Sequence, residues 1–256
     1  MNDNYKEQVK KLYLHNVWAR WKRYWRRLEN APAVLILKRR TRQLLGTELR
    51  HFVEVRRPTV RAGGWTVCTT GLTPGGIAYC FGVGEDVTLE LALVDLIGLE
   101  VHAFDPTPRA VEWLGHQAVP AGFHHHPIGV AGSDGTASFA PSDSPTNPSF
   151  TLLERSGGPT DLVECEVRKL SSLAKLYGHR QLHLLKLDVE GAEYQAIDDL
   201  LESGLEVKQI LVEFHHRFRN VGRAQTGRAV KQLHDAGYRI FYISPSGREY
   251  SFILEP

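Results

Sequence analysis

Three acidic side chains follow an apolar run in the stretch HLLKLDVEGAEYQAIDDLL, which spans residues 183–201. Asp188, Glu190 and Glu193 lie within six consecutive positions of this stretch. Carboxylates grouped in this way can take a proton from a bound hydroxyl group or neutralise a bound cation. A further titratable residue, His215, ends another apolar run in the segment QILVEFH. Both segments therefore predict a site of binding or reaction.

Two glycines end an earlier apolar run, in the segment FGVGED. Gly82 and Gly84 permit a tight turn and let the backbone approach a ligand closely. Two acids follow them, Glu85 and Asp86. The segment predicts a turn that holds part of a cofactor, and these four residues are its candidate contacts.

An acid ends the next apolar run, in the segment FDPTP. An acid about twenty residues after a glycine turn can accept hydrogen bonds from both ribose hydroxyls of a nucleoside. The alternative is that Asp105 caps the helix that follows, with a proline in the first turn of that helix. The paired glycines favour the ribose role, so we predict that Asp105 and Pro106 contact the cofactor.

A dinucleotide and S-adenosylmethionine would both suit a glycine turn followed by an acid. The dinucleotide fingerprint has a third small residue after the two glycines, whereas this chain has Val87 there. Glu85 and Asp86 would also face an anionic pyrophosphate. S-adenosylmethionine carries a sulfonium and an ammonium group, and acids suit such a cation. The sequence therefore favours S-adenosylmethionine over a nicotinamide dinucleotide.

Strand and helix patterns alternate from about residue 77 to the C-terminus. The predicted strands are nearly unbroken apolar runs, which indicates an α/β fold with a mostly parallel sheet covered by helices on both faces. Two final strands, YRIFYIS and REYSFILE, predict an antiparallel hairpin at the sheet edge. The segment HHHPIGVAG predicts a third strand, and we interpret its histidines, residues 124–126, as structural.

Ligands of such sheets bind beyond the carboxyl ends of the strands. Asp188, Glu190 and His215 all follow strand ends, so we predict that they meet in one cleft. We predict that Asp188 lies near the cofactor and that Glu190 or His215 is a base facing the substrate. Glu193 has an alternative role as a favourable charge at a helix N-terminus. These acids could hold a divalent metal, but the sequence fixes no ligand set, so we assign no metal ligand and the need for a metal stays open.

Four segments resemble the FkbM-type methyltransferases: YCFGVGEDVTLE, VHAFDPTP, LLKLDVEGAEYQAI and QILVEFH. The resemblance runs from about Gly64 to the C-terminus, and DVEGAE followed by EFH is its specific part. It implies a Rossmann-like class I fold with a seven-stranded sheet. It also implies methyl transfer from S-adenosylmethionine, often to a hydroxyl group of a sugar, glycan or secondary metabolite. Cys80 stands where many members carry an acid, so Glu85 or Asp86 would contact the amino-acid part of the cofactor.

The first 60 residues are basic, with 15 Lys and Arg against 5 Asp and Glu, whereas the remainder has 16 against 24. We therefore divide the chain into an N-terminal helical extension, residues 1–60, and a Rossmann-like domain, residues 61–256. A helix is predicted from about Tyr5 to Leu28, and a second helix from the segment NAP to about Leu45. The first helix has one apolar stripe, made of Leu14, Trp18, Trp21, Trp25 and Leu28.

This apolar stripe has three candidate partners. It would pack against the catalytic domain or against a second copy of the chain in a homo-oligomer. Alternatively, residues 5–28 would lie on an anionic membrane surface, where Trp side chains and a basic face are favourable. Nucleic acid is disfavoured, because three Trp residues in one stripe fit a buried face better than a base-stacking one.

Cysteine usage indicates a reducing compartment, because Cys68, Cys80 and Cys165 are odd in number and widely spaced. No apolar run is long enough to span a membrane, and no signal peptide is apparent. We expect a cytoplasmic protein, with peripheral membrane contact as an addition. Two other functions stay open: an inactive Rossmann-like module that binds membrane or nucleic acid through its basic helix, and a nicotinamide-dependent enzyme.

Overall fold

The computed structural model describes residues 29–139, 163–218 and 221–255. The predicted helix over residues 5–28 lies outside this described part of the chain. All the candidate site residues lie within it.

The chain forms two compact units, Met1–Arg50 with Pro245–Gly247 and His51–Ser244 with Arg248–Pro256. In the smaller unit, helix α1 spans Pro32–Leu44, which confirms the second predicted helix. Pro32 suits the first turn, where a backbone N–H would have no helical partner. None of the residues of α1 is buried.

The larger unit alternates strands and helices as the sequence predicts. Its strands are β1 (Thr59–Ala62), β2 (Trp65–Cys68), β3 (Ile77–Phe81), β4 (Glu100–Phe104), β5 (Phe123–His126), β6 (Gly129–Val130), β7 (Gly135–Phe139), β8 (Val163–Arg168), β9 (Gln181–Leu187), β10 (Glu206–Glu213), β11 (Tyr238–Ile243) and β12 (Glu249–Leu254). Its helices are α2 (Thr88–Ala92), α3 (Pro108–Gly115), α4 (Leu170–Leu176), α5 (Glu193–Ser203) and α6 (Gly222–Asp235). A π-helical turn, Leu93–Ile97, continues α2 and ends at Gly98, which has a φ of 79°.

Seven strands form the main sheet, in the order β11-β12-β10-β9-β3-β4-β5. The pairs from β10 to β5 are parallel, whereas β12 runs antiparallel to both of its neighbours. The predicted seven-stranded, mostly parallel sheet is confirmed. The predicted C-terminal hairpin is also present, and its second strand, β12, inserts between β10 and β11, so that β11 is the edge strand.

The predicted third strand divides into two strands in different sheets. β5 ends at His126, and Pro127 follows it without a backbone N–H to continue the ladder. β6 then pairs with β8, and β8 pairs with β7, to give a separate three-stranded sheet. The strands β6, β7 and β8 therefore do not extend the main sheet.

Apolar side chains cover both faces of the main sheet, which is what two-sided burial of β9 and β10 requires. Two elements were not predicted from the sequence: the hairpin of β1 and β2, which encloses the turn formers of RAGGW, and the short helix α4. Within the described part of the chain, no helix has the length and apolar character needed to cross a membrane.

Candidate functional site

The glycine turn after β3 packs tightly against the end of β9. Gly82 has a φ of 72°, and a Cβ atom there would lie 1.8 Å from the carbonyl oxygen of Asp188. Gly84 has a φ of 54°, but a Cβ atom there would meet no atom of the described residues within 4 Å. Gly82 is therefore required by the protein's own packing, whereas Gly84 leaves open space beside the turn.

Asp105, at the end of β4, joins two loops through its carboxylate. Its Oδ2 accepts a hydrogen bond from the backbone N–H of Gly84, at 2.9 Å. Its Oδ1 accepts bonds from the backbone N–H of Thr107, at 3.0 Å, and from the Thr107 hydroxyl group, at 2.6 Å. The N-cap residue of α3 is Thr107, which has no side-chain capping hydrogen bond, so Asp105 holds the residue that precedes α3 and does not itself cap the helix. The structure also fixes Asp105 beside the glycine turn, where Oδ2 retains capacity for a second donor.

The two acids after the glycines already have partners in the protein. Glu85 forms an ion pair with Arg109 of α3. The Oδ1 of Asp86 accepts bonds from the backbone and the hydroxyl group of Thr88, and these bonds lower the pKa of Asp86. The contact of Glu85 or Asp86 with a cofactor stays a prediction. Pro106 accepts a hydrogen bond from the Cys165 thiol through its carbonyl oxygen.

The turn after β9 brings the DVEG segment to the carboxyl edge of the sheet. Glu190 has a φ of 48°, a left-handed conformation that costs a non-glycine residue about 1–2 kcal/mol. Such conformations concentrate at functional sites, where surrounding contacts maintain them. Here the backbone N–H of Gly191 donates to Oε2 of Glu193, at 2.8 Å.

Glu193 connects this turn to the end of β10. It is fully buried, and its Oε1 accepts a hydrogen bond from the backbone N–H of His215 at 2.9 Å. The Nδ1 of His215 lies 3.3 Å from the same oxygen, and its Nε2 lies 3.4 Å from Oε2 of Glu190. The predicted meeting of Glu190 and His215 is therefore observed. Glu193 does begin α5, but its carboxylate also binds the neighbouring loop.

Neighbouring acids determine the protonation of His215. Burial by itself lowers the pKa of His215, but the hydrogen bond to Glu193 and the charges of Glu193, Glu190 and Glu213 raise it to about 9. Burial and the nearby charge of Asp188 raise the pKa of Glu213 to about 7, against the opposing effect of Arg248. His215 is accordingly an imidazolium at neutral pH.

Asp188, Glu213 and His215 each place one potential ligand atom within 4.8 Å of the other two. Such a group could hold a divalent cation. A protonated His215 has no lone pair for a metal, and it neutralises part of the acidic charge at this edge. A divalent cation at these three residues would therefore require the neutral form of His215.

A comparison with known families decides what kind of domain this is. Residues 77–240, more than half of the chain, match the Methyltransferase FkbM domain. This chain belongs to the FkbM methyltransferase family. Its glycine turn, Asp105 and the DVEG and EFH segments all lie inside the matched residues.

Two curated proteins are similar to part of this FkbM chain. Probable methyltransferase-like protein 24 of Rattus norvegicus is 29% identical over 140 residues, which are 54% of this chain and 32% of the rat protein. The Homo sapiens protein of the same name is 28% identical over 140 residues, with the same shares. The match thus spans about a third of the length of these relatives.

Solved structures resemble the FkbM chain more distantly. The fibrillarin pre-rRNA processing protein of Methanococcus jannaschii aligns over 73% of this chain and 70% of that protein, with 11% identity and a TM-score of 0.44. The METTL16 methyltransferase domain aligns over 88% of this chain and 80% of that domain, with 10% identity and a TM-score of 0.42. Similarity this low carries no argument about activity.

S-adenosylmethionine is the cofactor of the FkbM domain, and the residues present fit it. Gly84 leaves space at the turn, and Asp105 holds a carboxylate oxygen beside it. Beneath the turn, Oε1 of the buried Glu90 has no hydrogen-bond partner among the described residues, and it lies 3.8 Å from Nζ of Lys186. When bound, the cofactor supplies an electrophilic methyl group.

Sequence reasoning missed two charged residues of the FkbM site, Lys186 and Glu90. Lys186 donates from Nζ to the carbonyl oxygen of Gly82, at 2.8 Å, and is 3% exposed. Glu90 is 1% exposed, and its Oε1 lies 3.8 Å from Nζ of Lys186. The signal was present in both cases, because a lysine interrupts the apolar run LHLLKLDV and an acid interrupts VTLELALV.

Proposed function

We propose that this chain is an active enzyme that transfers the methyl group of S-adenosylmethionine to a hydroxyl group of a small molecule, on a sugar, glycan or secondary metabolite. One observation carries the proposal: Glu190 is held in a left-handed conformation beside the His215 imidazolium, at the edge of the sheet that also bears the glycine turn. A carboxylate in that position suits an acceptor that must lose a proton.

The protonation of His215 supports Glu190 as the base. With a pKa of about 9, His215 already carries its proton at neutral pH and has no capacity to accept another. Its Nε2–H instead faces the Glu190 carboxylate, 3.4 Å away, and helps to orient it. Asp188 follows β9 directly and, through its carbonyl oxygen, abuts Gly82, which supports its predicted place near the cofactor.

The proposed reaction is an in-line displacement. The acceptor oxygen forms a bond to the methyl carbon while the carbon–sulfur bond breaks. The electron pair of the broken bond stays on sulfur, which gives S-adenosylhomocysteine. The hydroxyl proton passes to the Glu190 carboxylate. Holding oxygen, carbon and sulfur collinear provides much of the acceleration, and removing the proton provides roughly a further 10²–10⁴-fold.

Product analysis tests the type of acceptor. The purified protein would be incubated with S-adenosylmethionine bearing a deuterated methyl group and a panel of sugars, glycans, phenols and amines. We expect the label on a hydroxyl oxygen, located by tandem mass spectrometry. Labelling of a nitrogen atom would contradict the proposed acceptor class, whereas no transfer to any acceptor would favour the alternative of an inactive Rossmann-like module.

Substitution of the base tests the mechanism. Glu190→Gln should lower turnover by about 10²–10⁴-fold and leave S-adenosylmethionine affinity nearly unchanged, since the amide cannot accept the proton. Glu206→Gln is the matched control, because Glu206 is exposed at the opposite end of β10. Full turnover of Glu190→Gln would remove Glu190 from the reaction. No observation favours a nicotinamide-dependent reaction.

We also propose a role for the basic extension and a cytoplasmic location. The stripe over residues 5–28 would pack against the chain's own domain or against a second copy, with an anionic membrane surface as the alternative. Two features of α1 support the membrane: no acid occurs between residues 30 and 47, and Leu37 and Leu44 are exposed. Three free, buried cysteines support a reducing compartment.

Deletion of residues 1–28 separates these partners. Sedimentation with vesicles of phosphatidylcholine alone or with phosphatidylserine would be compared for the full chain and the deletion. Binding only to anionic vesicles, lost on deletion, would establish the membrane contact. A change of mass in analytical ultracentrifugation without vesicle binding would establish self-association, and loss of folding would establish packing within one chain.

A further inference from the structure

A buried cation lies beneath the turn that binds the cofactor. Lys186 is in the central strand β9, and its Nζ donates to the carbonyl oxygen of Gly82 at 2.8 Å. The ring of Trp65, in β2, lies 5.6 Å from the same nitrogen. A lysine removed from water in this way is strongly destabilising unless a negative charge accompanies it.

Glu90 provides that negative charge. It projects from α2, and its Oε1 lies 3.8 Å from Nζ of Lys186. Burial foremost, and then the nearby charge of Glu90, raise the pKa of the Cys80 thiol in β3. Oε1 of Glu90 has no hydrogen-bond partner within the described part of the chain. Burial by itself would lower the pKa of Lys186, but Glu90 foremost among nearby carboxylates raises it, so the lysine remains charged.

We propose that Glu90 is a positioning residue for the cofactor. It holds Lys186 against the carbonyl oxygen of Gly82. It also places beneath the glycine turn a negative charge that Cys80 does not supply. It thereby sets the preference of this site for a sulfonium over a neutral thioether. The inference rests on S-adenosylmethionine as the cofactor and is independent of the acceptor.

The charge difference between substrate and product cofactor provides a selective readout. S-adenosylmethionine carries one positive charge more than S-adenosylhomocysteine, and the two are otherwise similar in shape. Glu90→Gln would remove the carboxylate that contributes most to compensating the charge of Lys186. At an effective dielectric constant of about 20, one added charge changes the affinity for a cation on the order of 10 Å away by roughly tenfold, which sets the scale expected for a nearby bound cation.

Calorimetric titration with both cofactors measures this effect. We expect Glu90→Gln to weaken S-adenosylmethionine binding by about tenfold more than S-adenosylhomocysteine binding. The control, Glu206→Gln, removes the same charge from the exposed start of β10 and should leave both affinities unchanged. A purely structural role of Glu90 would weaken both ligands equally, and equal weakening would overturn the proposal.

Two double variants keep the test decisive if Glu90→Gln alone does not fold. Cys80→Asp with Glu90→Gln moves the carboxylate across the existing Cys80–Glu90 contact, so the affinity ratio should return toward that of the wild type. Lys186→Gln with Glu90→Gln removes both charges. The affinity ratio should therefore return toward that of the wild type, while the affinities for both cofactors fall. A ratio that stays tenfold lower in both double variants would overturn the charge argument.

The two proposals fail in different ways. A wild-type protein that binds neither cofactor would remove the basis of both. Cofactor binding with an unchanged ratio in Glu90→Gln would overturn the role of Glu90 and leave the proposed methyl transfer in place. Conversely, an altered ratio supports the role of Glu90 even where no hydroxyl acceptor is methylated.

Discussion

Asp105 shows how one carboxylate serves two functions at the scale of a single residue. It fixes the start of α3 through Thr107 and fixes the glycine turn through Gly84. We expect Asp105→Ala to weaken S-adenosylmethionine binding by about 1–3 kcal/mol, the scale of a lost charge-assisted hydrogen bond. Titration calorimetry measures the change.

The control for Asp105 is Asp95→Ala, which removes an exposed acid from the turn after α2. It should leave the affinity unchanged. Unchanged affinity of a folded Asp105→Ala variant would show that the carboxylate only organises the loops and does not contact the ribose.

His215 gives a second prediction at the same scale. Its pKa of about 9, against an ordinary 6.5, means that the folded state holds the proton more tightly than the unfolded state. The stabilisation is complete below about pH 6.5 and disappears as the pH rises through 9. We expect the wild type to lose on the order of 2 kcal/mol of unfolding free energy between pH 6.5 and 9.5.

Urea denaturation of the wild type and of His215→Gln at both pH values tests this. The glutamine variant should be less stable at pH 6.5, and its stability should change little up to pH 9.5. An equal pH dependence in the two proteins would show that another group is responsible.

At the scale of elements, Gly82 and Gly84 have different structural roles in the turn between β3 and α2. Gly82→Ala would place a Cβ atom 1.8 Å from the carbonyl oxygen of Asp188, so either β9 or the turn must move. We expect a loss of more than about 3 kcal/mol in unfolding free energy. Gly84→Ala meets no atom and should cost only about 1–2 kcal/mol of left-handed strain. Equal losses, measured by urea denaturation, would contradict this division.

A pair of histidines, one in β4 and one in β5, affects stability with a pH dependence opposite to that of His215. Nδ1 of His102 and Nε2 of His126 are 2.9 Å apart. Burial foremost, and then neighbouring histidines, lower the pKa of His102 to about 3 and that of His126 to about 4. The unfolded chain therefore binds protons first, and stability is lost as the pH falls below about 6.5.

As the pH falls from 7.5 to 5, we expect this pair to lower the unfolding free energy of the wild type by about 1 kcal/mol. The effect is this small because both rings are partly exposed to solvent. The loss is best measured as the difference between the wild type and His102→Phe, since His215 changes in the opposite sense over part of this range. His116→Gln, which alters an exposed histidine, is the control. A difference that does not vary with pH would contradict the prediction.

At the scale of the whole molecule, we expect the protein to need its cofactor and no metal. The His215 imidazolium already offsets part of the charge of Asp188 and Glu213. Dialysis against EDTA should change neither S-adenosylmethionine affinity nor methyl transfer by more than about twofold. Loss of transfer that Mn²⁺ restores would instead assign a metal to Asp188, Glu213 and His215.

Much of the fold follows from local patterns that tertiary contacts do not override. Unbroken apolar runs such as LHLLKLDV and QILVEF can be buried only on both faces of a sheet, and the helices between them make the strands parallel. The glycines of FGVGED and the acids of DVEG mark the ends of these strands. Because ligands bind at those ends, the sequence by itself also determined where to look for the site.

Only the tertiary structure decided the order of the strands in the sheet and which charged side chains lie together. Insertion of β12 between β10 and β11 depends on which strand edges are free, and no local pattern encodes that. Likewise, Lys186 and Glu90 are far apart in sequence, and His215 meets Glu193 only because two strands bring their loops together. Whether His215 is a base or a fixed imidazolium depends on the charges that surround it after folding, because its pKa is a property of that environment.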